Sequence, residues 1–155
     1  DETTPEADRS KPIAKAQARA FADAAARLIR KEVDRARRFV GKDDPAAFEA
    51  WLGKFYEEHR AHVRDSLLPV TESTLELLVG PAPDLTARAR NILDNYATDH
   101  CKESMTQLRQ AWADKDIEGL CQDWEANRPS FVCRHIPDRI LLSIKLSEAL
   151  SESIK

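Results

Sequence analysis

Along most of this chain apolar residues recur at steps of three and four, the period of a helix with one buried face. Phe21, Ala25, Leu28, Ile29, Val33, Ala36 and Val40 form the first such row, and Gly41 supplies a stop, so a helix is predicted over 12–40. Asp44 can cap a second helix, Pro45 suits its first turn, and Pro69 should end it, giving 45–67. Its row runs through Phe48, Trp51, Leu52, Phe55, Tyr56, Val63 and Leu67, and the two places where an apolar residue is missing are His59 and His62. A short helix over 72–79 follows, capped by Thr71 or Ser73 with Ser73 to Glu76 as a capping box, before "GPAPD" breaks the chain.

Asp84 should cap a long helix over 84–112, where Leu85, Ala89, Ile92, Leu93, Tyr96, Cys101, Ser104, Met105, Leu108 and Trp112 keep the period. Asp116 caps a helix over 116–128 carrying Ile117, Leu120, Cys121 and Trp124, and Pro129 should close it. Ile136 and Pro137 open a last helix over 137–153. Its Ile140, Leu141 and Ile144 and its Leu142, Leu146 and Leu150 make two partial stripes, so its tail is a candidate interface. The expectation is an all-α fold of five to six helices in an irregular bundle. Residues 12–155 form one domain, and Trp51, Phe55, His59, Tyr96, Trp112 and Trp124 mark its core.

Composition agrees with helices. Only 4 Gly occur in 155 residues, too few for a turn-rich β fold. The opening "DETTPEADRSKP" is polar and aperiodic, so residues 1–11 read as linker or disordered. The chain starts with Asp1 rather than Met, and the expectation is a piece of something longer. No apolar run approaches the roughly 18 residues of a membrane span, so no membrane partner is expected. Three cysteines, an odd number, make no paired framework, and a reducing, intracellular setting is expected.

The net charge of -3 hides an asymmetry. Residues 11–42 carry ten Lys or Arg against three Asp or Glu, which leaves the rest of the chain strongly acidic. Lys15, Arg19, Arg27, Lys31 and Arg35 step by four or eight, with Arg38 and Lys42 continuing the row, so one helix face is basic. Charged helix faces are usually just solvated; the alternatives are an acidic partner or nucleic acid, contacted through Arg27, Lys31, Arg35 and Arg38.

"FYEEHRAHV" at 55–63 raises the question of a metal or acid–base site. A zincin helix needs His-Glu-x-x-His and a di-iron bundle needs Glu-x-x-His, and neither occurs. The reading is a structural His59 donating a hydrogen bond across a helix interface. "DHC" at 99–101, Cys121 and "CRH" at 133–135 hold every cysteine, but without the paired knuckle of a zinc finger, so buried thiols are expected. His100 and Cys101 are adjacent on a helix and point about 100 degrees apart, which is wrong for a nucleophile and its base. No catalytic residue, metal ligand or cofactor is assigned.

"FYEEHRAHVRDSLLP" resembles a segment near the C-terminus of HK97-family phage portal proteins, in which an aromatic pair, His, Val and Leu are spaced along a helix. "RKEVDRARRFVGKDDPAAFEAWLGKFYEEH" is similar to the basic helix and Asp-Pro turn before it, and "YATDHCKESMTQL" and "WEAN" resemble later helices of the same tail. The resemblance covers residues 20 to 126 and rests on packing patterns. It implies a dodecameric ring through which a terminase motor passes DNA into the capsid, with the wing, stem and clip upstream of this segment. The functional expectation is a non-enzymatic structural and interaction domain of phage head assembly. It would be a homo-oligomer in the full-length protein, with other phage head proteins as partners and DNA contact through the basic helix. Its place would be the bacterial cytoplasm during assembly and then the virion. Two other classes stand beside it: a stand-alone nucleic-acid-binding domain, and a metal-dependent helical enzyme using His59, His62, His100 and Cys101.

Overall fold

The computed structural model describes the backbone of residues 5–154 and the side chains of residues 17–153. Four long helices run up, down, up and down: α1 (Pro5–Ala36), α2 (Pro45–Val79), α3 (Leu85–Ala113) and α4 (Ile117–Ile154), with a 3-10 turn at Arg37–Phe39 after α1. Each helix packs on its neighbours in sequence, and α4 closes the bundle against α1. The α3–α4 seam is the most open of the four. Pro5–Lys11 belong to α1, although the sequence reads as linker there; residues 1–4 lie outside the described residues.

The all-α class holds, but there are four helices where five or six were expected, and the reason is the same in each merger. The expected helices at 45–67 and 72–79 are one, with Pro69 inside α2, and those at 116–128 and 137–153 are one, with Pro129 and Pro137 inside α4. A proline in a helix interior loses a hydrogen bond and crowds the preceding turn, at a cost of roughly 3 kcal/mol. Burial on both sides offsets it. Leu67 and Leu75 flank Pro69, and Val132, Ile136 and Ile140 surround the α4 prolines, all at 2% exposure or less. Burying one such side chain contributes about 1.5–3 kcal/mol, so a row of them holds the helix through the defect. The capping box expected at Ser73 to Glu76 therefore lies mid-helix, where the Thr74 hydroxyl donates back to the Val70 carbonyl.

The caps are mixed. Asp44 accepts from the Ala47 amide and Asp116 from the Gly119 amide, as the sequence indicates. Asp84 stands at the start of α3 but makes no side-chain cap bond. Gly41 and Gly80 take φ near +75° and +84°, the left-handed region that suits glycine, and end the first two helical segments.

The core has two apolar halves. One gathers Phe21, Leu28, Val63, Leu67, Leu93, Val132, Ile136 and Ile140. The other gathers Ile29, Val33, Phe48, Leu52, Tyr56, Leu108, Cys121 and Trp124. Trp51, Phe55 and Trp112, expected in the core, are only half-buried and pack on the second half, where the rings of Phe48 and Trp112 stack at 4.4 Å. Tyr96 and Trp124 are buried.

Arg27, Lys31 and Arg35 lie exposed on α1, and Arg38 lies exposed on the 3-10 turn that follows it. Replacing all four with alanine should leave helicity and the melting midpoint close to those of the parent, measured by circular dichroism; loss of the cooperative transition would show that the stripe holds the fold.

Candidate functional site

Between the two apolar halves lies a polar layer to which every helix contributes. Glu32 of α1 falls among Leu28, Ile29, Val33 and Ala36 and is wholly buried. His59 of α2 stands between Tyr56 and Val63, His100 and Ser104 of α3 follow Tyr96 by one and two turns, and Arg128 of α4 lies between Trp124 and Val132. Each occupies a place where the helical period calls for an apolar residue.

Glu32 is the hub. Its Oε1 accepts from the Tyr56 hydroxyl at 2.8 Å and the Ser104 hydroxyl at 2.7 Å, and the Arg128 guanidinium approaches it at 3.5 Å. Its Oε2 lies 3.0 Å from His100 Nε2 and 3.8 Å from His59 Nε2. Arg128 also donates to the Ser104 hydroxyl at 2.6 Å and to the His100 carbonyl at 3.4 Å, and its guanidinium sits 4.2 Å over the Trp124 ring. The Tyr96 hydroxyl lies 3.2 Å from His100 Nδ1.

Burial opposes charge on Glu32, yet the facing His100 and Arg128 together with the hydrogen bonds outweigh it and hold its carboxyl well below the usual range. Burial pushes the His100 pKa down against the pull of Glu32. A neutral ring fits the contacts: Nε2–H donates to the carboxylate while Nδ1 accepts from Tyr96. The Tyr56 hydroxyl is held well above its usual value by burial and then by Glu32, so it stays a donor. The layer is thus one carboxylate balanced by one guanidinium, ringed by neutral donors.

His59 is the exception. Its side chain is buried, yet neither ring nitrogen has a hydrogen-bond partner among the described residues. The expected bond across a helix interface is therefore not made; Nε2 stops 3.8 Å short of Glu32, beyond hydrogen-bond reach. The ring packs instead against Phe55, with centroids 4.9 Å apart. His62, placed on the same buried row by the sequence, is exposed.

The three cysteines do not converge. Cys101 and Cys121 are buried and Cys133 is half-buried beside the Ala18 carbonyl. Burial raises the Cys101 thiol to about 12 and the Cys121 thiol to about 11, so both are neutral thiols near pH 7. His135 stacks on Phe131, with ring centroids 5.1 Å apart. Among the described residues, the group whose ligand atoms all lie within 4.8 Å of one another is Glu32, His59 and His100.

Sequence reasoning named His59, His100 and Tyr96 but missed Glu32 and Arg128 and read Ser104 as one more member of an apolar row. The signal was there: Glu32 continues the Ala25, Leu28/Ile29, Ala36 series, and Arg128 falls four residues from both Trp124 and Val132. The layer opens outward at the α3–α4 seam into a cleft of about 460 Å³, where Arg128 and His100 meet Trp124, Phe131 and an acidic rim that includes Glu103 and Asp123. No family model, curated protein or solved structure matches this chain.

Removing the hub should be severe. Glu32→Ala strands Arg128 in the core and should cost about 3–5 kcal/mol in urea unfolding, while Glu58→Ala, on the exposed face, should stay within about 0.5 kcal/mol of the parent. Acid should act through the same layer. His100 and Glu32 both have folded pKa values below their unfolded ones, so their contribution is full above pH ~6.5 and falls as pH drops, first through His100 and then through Glu32. His100→Gln, which keeps an N–H donor and cannot titrate, should flatten the upper part of that fall in unfolding midpoints measured from pH 7.5 to 4.

Proposed function

We propose that this chain is a non-enzymatic helical assembly domain that associates with further copies of itself through the outer face of α4, as a structural element of phage head assembly. The observation that carries the reading is the row Leu142, Leu146 and Leu150, which are 57%, 57% and 65% exposed. The inner row of the same helix, Ile136, Ile140 and Ile144, is buried in the bundle, so α4 carries two apolar faces and the fold uses one. Four-residue spacing lines the leucines along one ridge. Ile92 continues the apolar surface across the α3–α4 groove, and Arg88, Arg139, Asn91 and Asn95 border it. That combination of apolar ridge and polar border is the anatomy of a helix–helix interface. A two-fold pairing about Leu146 would set Leu142 of one copy against Leu150 of the next, and a ring would use the same ridge against a different face. The portal resemblance over residues 20 to 126 favours the ring and supplies the phage setting.

A second reading has its own observation. Arg27, Arg30, Lys31 and Arg35 of α1 and Arg38 of the 3-10 turn converge on one shallow exposed surface, with Asp34 as its acidic member. Arg37 is not part of it, being paired with Glu118 and Glu125. Such a surface suits a phosphate backbone, and binding through it would weaken steeply with salt.

Light scattering on the purified chain checks the assembly reading. The expected result is a concentration-dependent oligomer that becomes monomeric in Leu142→Glu/Leu146→Glu, with helicity unchanged. A parent that stays monomeric at high concentration, or an oligomer indifferent to that double change, refutes it.

A further inference from the structure

We infer that Glu32, His59 and His100 form a binding site for one divalent transition-metal ion of the zinc or cobalt type, and that Arg128 occupies the place of that ion's charge when no metal is bound.

The donor set comes first. Two imidazoles and one carboxylate suit Zn²⁺ or Co²⁺ better than Ca²⁺ or Mg²⁺, which prefer oxygen. The spacing agrees. Ligand atoms held about 2.0–2.1 Å from a tetrahedral ion stand about 3.4 Å apart, and Glu32 Oε2 lies 3.0 Å from His100 Nε2 and 3.8 Å from His59 Nε2. Three helices contribute, so the ion would tie α1, α2 and α3 together at mid-height.

His59 is the independent observation. A buried imidazole with both nitrogens unpaired is costly, and no described residue satisfies it. One lone pair, 3.8 Å from a fully buried carboxylate oxygen, is what a metal ligand presents. The surroundings of the other ligands also fit. The Tyr96 hydroxyl can accept from His100 Nδ1–H once Nε2 gives its lone pair to the ion, and Tyr56 and Ser104 hold the remaining oxygen of Glu32.

Arg128 is the objection and the mechanism. A divalent ion beside a buried guanidinium would be repelled, and the Arg128 Nη2 donor facing His100 Nδ1 at 3.5 Å conflicts with a proton on that nitrogen. Arg128 must therefore move out as the ion moves in. The cleft at the α3–α4 seam gives it room, with Glu103 and Asp123 on the rim as new partners. Metal and guanidinium thus compete for one carboxylate, and the exchange couples the core to the open seam.

The test uses the full chain, stripped with a chelator and titrated with Co²⁺. The expected result is one Co²⁺ per chain with the visible ligand-field band of a four-coordinate ion, displaced by Zn²⁺. His59→Gln should weaken binding about 100-fold with helicity intact, because His59 makes no hydrogen bond to any described residue. Arg128→Met should tighten it about tenfold by removing the competing charge. His62→Gln and Cys133→Ser should bind as the parent does. The proposal is overturned if no band forms, if His59→Gln binds Co²⁺ as tightly as the parent, or if His62→Gln or Cys133→Ser abolishes the band. An Arg128→Met affinity equal to the parent's overturns the exchange. The outcome is independent of self-association through α4.

Discussion

A carboxylate at the centre of a four-helix bundle has to be answered from every side, and the architecture of this protein follows from how Glu32 is answered. Removing a carboxylate from water costs several kcal/mol even after relaxation, and only an opposing charge with well-placed hydrogen bonds recovers it. Here the donors come from Tyr56 on α2, His100 and Ser104 on α3 and Arg128 on α4. No helix can slide by a turn without leaving part of the layer unpaired. The interior apolar rows, by contrast, would tolerate such a slip, since leucine and isoleucine pack against many neighbours. Register is thus specified by the polar layer and strength by the apolar halves.

That division of labour also explains how the prolines are carried. The α2 and α4 rows run through Pro69, Pro129 and Pro137 into the half of the core that holds Phe21, Leu93 and Ile136. Those helices are held by contact along their length rather than by unbroken backbone hydrogen bonding. A local rule that stops a helix at proline is sound for a peptide in water and fails where a long buried stripe continues past it.

Much of the fold could be read from the chain because most of it is periodic. The starts of α2 and α4 are set by the Asp44 and Asp116 side chains acting on their own backbone, a local effect that sequence reports well. Burial of His59 was equally legible from the row it interrupts, whereas His100, read only as the neighbour of Cys101, was not placed inside. What sequence did not reveal was the company they keep. Glu32 lies among the arginines and lysines of α1, so a reading by charge places it with the solvated face, whereas a reading by period places it with Ile29 and Val33. Arg128 was hidden in the same way beside Pro129, where a helix end was expected. Both errors give nearest neighbours in sequence more weight than neighbours one turn away.

The open α3–α4 seam ties these features together. Here the inner layer reaches outward through Arg128, and the outer face of α4 carries leucines that the fold leaves exposed. Arg139 spans the seam to Asp99 and lies over Tyr96, whose hydroxyl contacts His100, so a continuous chain of side chains runs from the surface to the buried carboxylate.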